Sequence, residues 1–133
     1  MVFLNGVLIT RSILKKRAPF GVERLAGIAS FGAYIPRYRL GPETVGWNSP
    51  QERSIANFDE DSVTMAVAAG IDCLRDQDRQ AVDGIIFATT TSPYSEKQCA
   101  AIIATALDLR RDIFATDVTD VLRAGTAAMM SAL

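Results

Sequence analysis

Ile113-Phe114-Ala115-Thr116-Asp117-Val118-Thr119-Asp120-Val121-Leu122-Arg123-Ala124-Gly125-Thr126-Ala127-Ala128-Met129-Met130 reads as a strand that runs through a tight turn into a helix. Ile113-Phe114-Ala115 is a short apolar run that fits a buried strand. Asp117, Thr119 and Asp120 break the run, and the residues from Leu122 to Met129 are small and helix-compatible. A strand that feeds straight into a helix aims one side chain at the helix's N-terminal amides, where the dipole favours negative charge. A cysteine there would have a lowered pKa and act as a nucleophile. The residue at that point is Leu122, so a catalytic frame surrounds a side chain without such chemistry.

Working outward, residues 25–34 (LAGIASFGAY) read as the first strand, with Ile28, Ser30 and Gly32 on one face and Ala29, Phe31 and Ala33 on the other. Pro36 ends it, having no amide to donate to a ladder. Residues 37–58 are punctuated by Pro42, Gly46, Asn48 and Pro50 and read as loop. Asp59-Glu60-Asp61 opens a helix with acids in its first turn, and Val63, Val67, Ile71 and Leu74 recur at helical spacing as its inner face. Residues 82–90 form the second strand, and the unbroken Ile85-Ile86-Phe87-Ala88 suits a strand covered on both sides. Ser95-Glu96-Lys97-Gln98 matches a capping box, and the helix after it turns Ala100, Ile103, Ala104 and Leu107 inward. A strand over 113–118 and a helix from about Arg123 complete the chain. The order β, α, β, α, β, α predicts an α/β layered domain with a mainly parallel central sheet. Residues 1–24 show no helical or strand period, and Pro19 and Gly21 close them off, so they read as an N-terminal extension to a domain over 25–133. The last helix has no stop signal: either it frays, or the chain is a piece of something larger.

Composition narrows the function. The chain has 133 residues, 49% of them hydrophobic and 22% charged, with a net charge of −1, so no basic excess points to nucleic acid. Its histidine count is zero, which excludes a Ser-His, Cys-His or His-metal site built from this chain alone. Cys73 and Cys99 fall in helical segments without metal-ligand spacing and read as reduced, buried thiols of a cytoplasmic protein. No run approaches the roughly 20 apolar residues of a membrane span. The Lys15-Lys16-Arg17 cluster follows the apolar N-terminal residues, the reverse of a signal peptide. A loosely attached extension, or an upstream start, is expected over a targeting segment.

Three blocks carry a family resemblance. Gly27-Ile28-Ala29-Ser30-Phe31-Gly32-Ala33-Tyr34-Ile35-Pro36-Arg37-Tyr38-Arg39 resembles the opening of archaeal and bacterial 3-hydroxy-3-methylglutaryl-CoA synthases, relatives of ketoacyl-acyl carrier protein synthase III in the thiolase superfamily. Asn57-Phe58-Asp59-Glu60-Asp61-Ser62-Val63-Thr64-Met65-Ala66 resembles the same family's first helix, and Arg123-Ala124-Gly125-Thr126-Ala127-Ala128 its segment after the nucleophile. The resemblance covers about 25–133 and implies part of a thiolase-like fold, an incomplete N-terminal half. It also implies a Claisen-type condensation of acyl-CoA thioesters. A cysteine at the head of the buried helix takes the acyl group, a glutamate after the second strand acts as acid or base, and a later histidine and an oxyanion hole assist. Carried over by position, the cysteine falls on Leu122 and the glutamate on Thr90, and the histidine region lies beyond Leu133. Leucine has no lone pair to attack a thioester, and threonine is no general base near neutral pH. No intact catalytic residue is therefore expected.

The resemblance also places Trp47 and Arg53 in the loop region where the family contacts coenzyme A, a pair able to hold an adenine and its phosphates. Their plainer reading is a tryptophan covering a core edge beside a solvated arginine. Plainer readings also hold Leu122 as core filling, Thr90 and Thr91 as the polar mouth of a strand, Cys99 as a small buried apolar residue and Arg110-Arg111 as a solvated helix end. The expected function is a non-catalytic, synthase-like polypeptide within an acyltransferase assembly. It takes a coenzyme A thioester as substrate rather than a tightly bound cofactor, holds no metal, and associates as a homo- or hetero-oligomer. A thiolase-like or OB-fold, zinc-ribbon partner is implied by a similar bacterial branch. The alternatives are an active hydroxymethylglutaryl-CoA synthase or 3-oxoacyl-ACP synthase III-type acyltransferase, and a truncated reading frame that self-associates.

Overall fold

The computed structural model describes residues 2–4, 7–10 and 27–132, the first two stretches as backbone alone. The strands are β1 (Val2–Leu4), β2 (Val7–Thr10), β3 (Ser30–Phe31), β4 (Tyr38–Leu40), β5 (Arg53–Ile55), β6 (Gly84–Ala88) and β7 (Phe114–Val118). The helices are α1 (Ser62–Cys73), α2 (Cys99–Ala106) and α3 (Ala124–Ala132). A five-stranded sheet runs in the order β3-β1-β2-β6-β7, and β4 pairs with β5 apart from it. β3 and β1 are parallel, as are β6 and β7, while β2 runs antiparallel to both its neighbours. The sheet is therefore mixed, with only β2 reversed.

Three expectations change here. Part of the stretch read as an extension contributes β1 and β2, which lie inside the sheet order, although strands of three or four residues are too short to show a period. The loop read over 37–58 contains the β4–β5 pair, held by Tyr38 opposite Ile55 and Leu40 opposite Arg53. The strand read over 25–34 shortens to Ser30–Phe31; Leu25 and Ala26 lie outside the described residues.

Helices cover both faces of β6. Ile85 and Phe87 point into a cluster with Val63, Ala66, Ala69 and Cys73 of α1 and with Ala100 and Ile103 of α2. Ile86 and Ala88 point the other way, onto Ala124 and Ala128 of α3. All five residues of β6 are buried, as its unbroken apolar run predicts. Full burial of Phe87, Ile85, Ile103 and Leu107 contributes about 2 kcal/mol each in area terms.

Local chemistry sets the ends of α1. Asp61 is its N-cap, accepting from the Thr64 N–H at 2.7 Å, while the Asp61 N–H donates to the Thr64 hydroxyl at 2.8 Å. The acids thus precede the first turn rather than occupy it. The inner face is narrower than the spacing suggests: Val63, Ala66, Ala69, Gly70 and Cys73 are buried and Ile71 is half exposed. Small residues there let neighbouring backbone approach. A Cβ on Gly32 would lie 2.6 Å from both the Ala69 carbonyl oxygen and the Cys73 nitrogen. The Ser30 hydroxyl donates to the Cys73 carbonyl at 2.9 Å, so β3 closes the C-terminal end of α1. Burial pushes the Cys73 thiol above its ordinary value. After β3, the Tyr34 hydroxyl donates to the Glu60 carboxylate, which also accepts the Asn57 N–H. That bond is the main cause holding the phenol above its ordinary value and the carboxyl below its own.

α2 ends in a Schellman motif. Asp108 takes a left-handed φ of 53°, its N–H bonds to the Thr105 carbonyl, and the Leu109 N–H bonds to the Ala104 carbonyl.

Candidate functional site

β6 leads to α2 on one face of the sheet, and its parallel neighbour β7 leads to α3 on the opposite face. Where two such connections diverge, a crevice opens beyond the carboxyl ends of the strands, the usual ligand position of α/β sheets. A cleft of about 430 Å³ lies there, lined by Ser92, Tyr94, Lys97 and Gln98 from the β6–α2 loop and by Asp117, Thr119 and Asp120 from the end of β7.

Asp117 fixes the cleft's geometry. Its two carboxylate oxygens accept the Cys99 and Ala100 N–H groups at 2.7 Å each. The Gln98 side chain reaches the Ala115 carbonyl at 2.7 Å, so the head of α2 is stitched to β7 on both sides. The capping box read at Ser95-Glu96-Lys97-Gln98 does not form: α2 begins at Cys99, and its N-cap Gln98 makes no capping bond. A carboxylate from the neighbouring strand takes that place and meets the positive end of the helix dipole. On the far side of the cleft, Asp120 has a φ of 62° and accepts from the Thr119 hydroxyl. This left-handed turn, which Asp tolerates better than most residues, costs about 1 kcal/mol and swings the chain from β7 toward α3.

The positions marked by sequence are only partly assembled. Leu122 stands two residues before α3, as expected, but its side chain is 99% exposed, so the reading of it as core filling is wrong. The turn holds it outward through a bond from the Ala124 N–H to the Val121 carbonyl. Thr90 is exposed just beyond β6, between Thr89, whose N–H donates to the Val118 carbonyl, and Thr91, whose N–H donates to the Thr89 hydroxyl. Neither Leu122 nor Thr90 lines the cleft. Trp47 and Arg53 do meet: the guanidinium lies 5.8 Å from the indole ring centre, and the indole N–H donates to the Gln51 carbonyl at 3.0 Å. They sit on the β4–β5 pair and its connection, and they do not line the cleft either. Arg110, read as solvated, instead bonds to the Val82 carbonyl and the Asp83 carboxylate.

Cys99 is fully buried at the first position of α2, its sulfur 3.4 Å from the Ser92 hydroxyl. No sulfur stands at the head of α3 among the described residues, and no group of three or more acidic or cysteine side chains there is arranged to hold a metal. No helix among the described residues is long and apolar enough to cross a membrane. Sequence reasoning missed Asp117 as a cap and Lys97 as a cleft residue. The cap was hidden because donor and acceptor are 17 and 18 residues apart. The signal for Lys97 lay in the sequence, since every other cationic residue from Ala18 onward is arginine.

The chain is 34% identical over 115 residues to the hydroxymethylglutaryl-CoA synthase of Pyrococcus furiosus, covering 80% of this chain and 33% of that one. It is 33% identical over 121 residues to the synthase of Pyrobaculum neutrophilum and 32% identical over 119 residues to that of Methanocaldococcus jannaschii, covering 34% of each. No family model matches the chain, and no solved structure does. Over about four fifths of its length the chain is similar to hydroxymethylglutaryl-CoA synthases, and it spans about a third of the length of the synthases it matches.

Proposed function

We propose that this chain is a thiolase-fold component that binds a coenzyme A thioester and does not catalyse condensation by itself. The observation that carries the reading is the pairing of Leu122 at the head of α3 with Thr90 after β6, where a condensing enzyme needs a thiolate and a carboxylate. Support for the ligand comes from the synthase relatives, from the cleft at the divergence of β6 and β7, and from the Trp47–Arg53 pair. In this reading the indole and guanidinium hold the adenine and phosphates, and the thioester end enters the cleft. The chain then works in the cytoplasm as a subunit of an acyltransferase assembly, alongside a thiolase-like or OB-fold, zinc-ribbon partner.

Two measurements test this. With acetyl-CoA and acetoacetyl-CoA together, the chain alone is expected to show no multiple-turnover release of coenzyme A, nothing beyond one equivalent per chain; steady turnover would overturn the reading. Affinity purification from the native host should bring down a thiolase-like or OB-fold protein in stoichiometric amount. Recovery of the chain alone would remove the assembly role.

A further inference from the structure

We infer that Lys97 is an acyl acceptor, taking the acyl group of a coenzyme A thioester held in the cleft beyond β6 and β7. The inference rests on the thioester-binding reading above and adds the group that reacts. Lys97 is the only lysine among the described residues, and it lines the cleft. Arginine supplies every other cationic side chain from Ala18 onward, and a guanidinium does not lose its proton to become a nucleophile. The Lys97 ammonium lies 5.0 Å from the centre of the Tyr94 ring, which holds the long side chain against the cleft wall.

Three competing groups, Cys99, Ser92 and Thr119, are occupied or shut away. Cys99 is fully buried, and the Ser92 hydroxyl beside it donates to the Tyr94 carbonyl at 3.0 Å. The Thr119 hydroxyl donates to Asp120, and both oxygens of Asp117 are engaged by the head of α2. Glu96 also lines the cleft, and the ammonium gives up its proton to solvent water.

The free amine's lone pair then attacks the thioester carbonyl carbon. The C–N bond forms, the C–S bond breaks, and the departing thiolate takes the second amine proton. The products are an amide on Lys97 and free coenzyme A, with no other reactant needed. The lysine's charge is lost, and with it the contact to Tyr94.

The test uses the full chain. Equilibrium dialysis with a non-hydrolysable thioether analogue of acetyl-CoA measures binding, and peptide mass spectrometry after incubation with acetyl-CoA measures acetylation at each lysine. The expected result is saturable binding together with acetylation at Lys97 at least about tenfold above that at Lys15 and Lys16, because a bound thioester raises its effective concentration at one amine. Lys97→Arg, which keeps the charge but has no amine to acylate, should lose that signal. Binding with equal acetylation of the three lysines would overturn the inference and leave the thioester-binding reading standing. Absence of binding would overturn both.

Discussion

Asp117 joins two elements through one carboxylate, and its two 2.7 Å bonds satisfy amides that no other described group reaches. Asp117→Ala removes a charge-assisted cap and should lower stability by about 2 kcal/mol, read as a shifted urea midpoint. Asp117→Asn keeps an acceptor and should recover part of the loss. Gly32 is a sharper case, because its neighbours are backbone atoms of α1 that cannot move aside cheaply. Gly32→Ala should cost about 2 kcal/mol by overpacking, on the same measurement. Asp108 runs the other way: its left-handed φ of 53° closes α2, and glycine adopts that conformation without strain. Asp108→Gly should therefore raise stability by about 0.5 kcal/mol, the strain relief less the entropy lost on folding.

Among the elements, the Tyr34–Glu60 bond ties the exit of β3 to the segment just before α1. The Glu60 carboxyl titrates below its ordinary 4.5 in the folded chain, so the contribution is present above 4.5 and is lost as pH falls through the folded value. Tyr34→Phe removes the main cause of that shift. It should lower stability at neutral pH and flatten the acid limb of a plot of urea midpoint against pH; an unchanged limb would show that the bond carries no linkage.

The inner face of α2 and the burial of β6 were legible in the sequence because apolar period and apolar continuity report burial directly. The start of α2 was not, because the local Ser95–Gln98 pattern competed with a carboxylate from another strand and lost. β1, β2, β4 and β5 were illegible for a different reason: three or four residues give too few alternations to count. At the site, the position of Leu122 before α3 was legible and its exposure was not, since exposure depends on how the Val121–Arg123 turn swings the side chain.

At the scale of the whole molecule, the described chain leaves Leu122, Val45 and Phe58 almost wholly exposed, and β3 and β7 each pair on one side only. Monomeric proteins seldom leave this much apolar surface and sheet edge uncovered. The 133-residue chain in isolation should therefore self-associate, giving concentration-dependent sedimentation; a monomer that melts sharply in calorimetry would contradict this. The most direct test of the central claim, a condensing-enzyme frame without its nucleophile, is covalent labelling with radioactive acetyl-CoA followed by neutral hydroxylamine, which cleaves thioesters and spares amides. The account predicts no hydroxylamine-labile label on the native chain. A stoichiometric labile label would place an acyl-cysteine in this protein and contradict it.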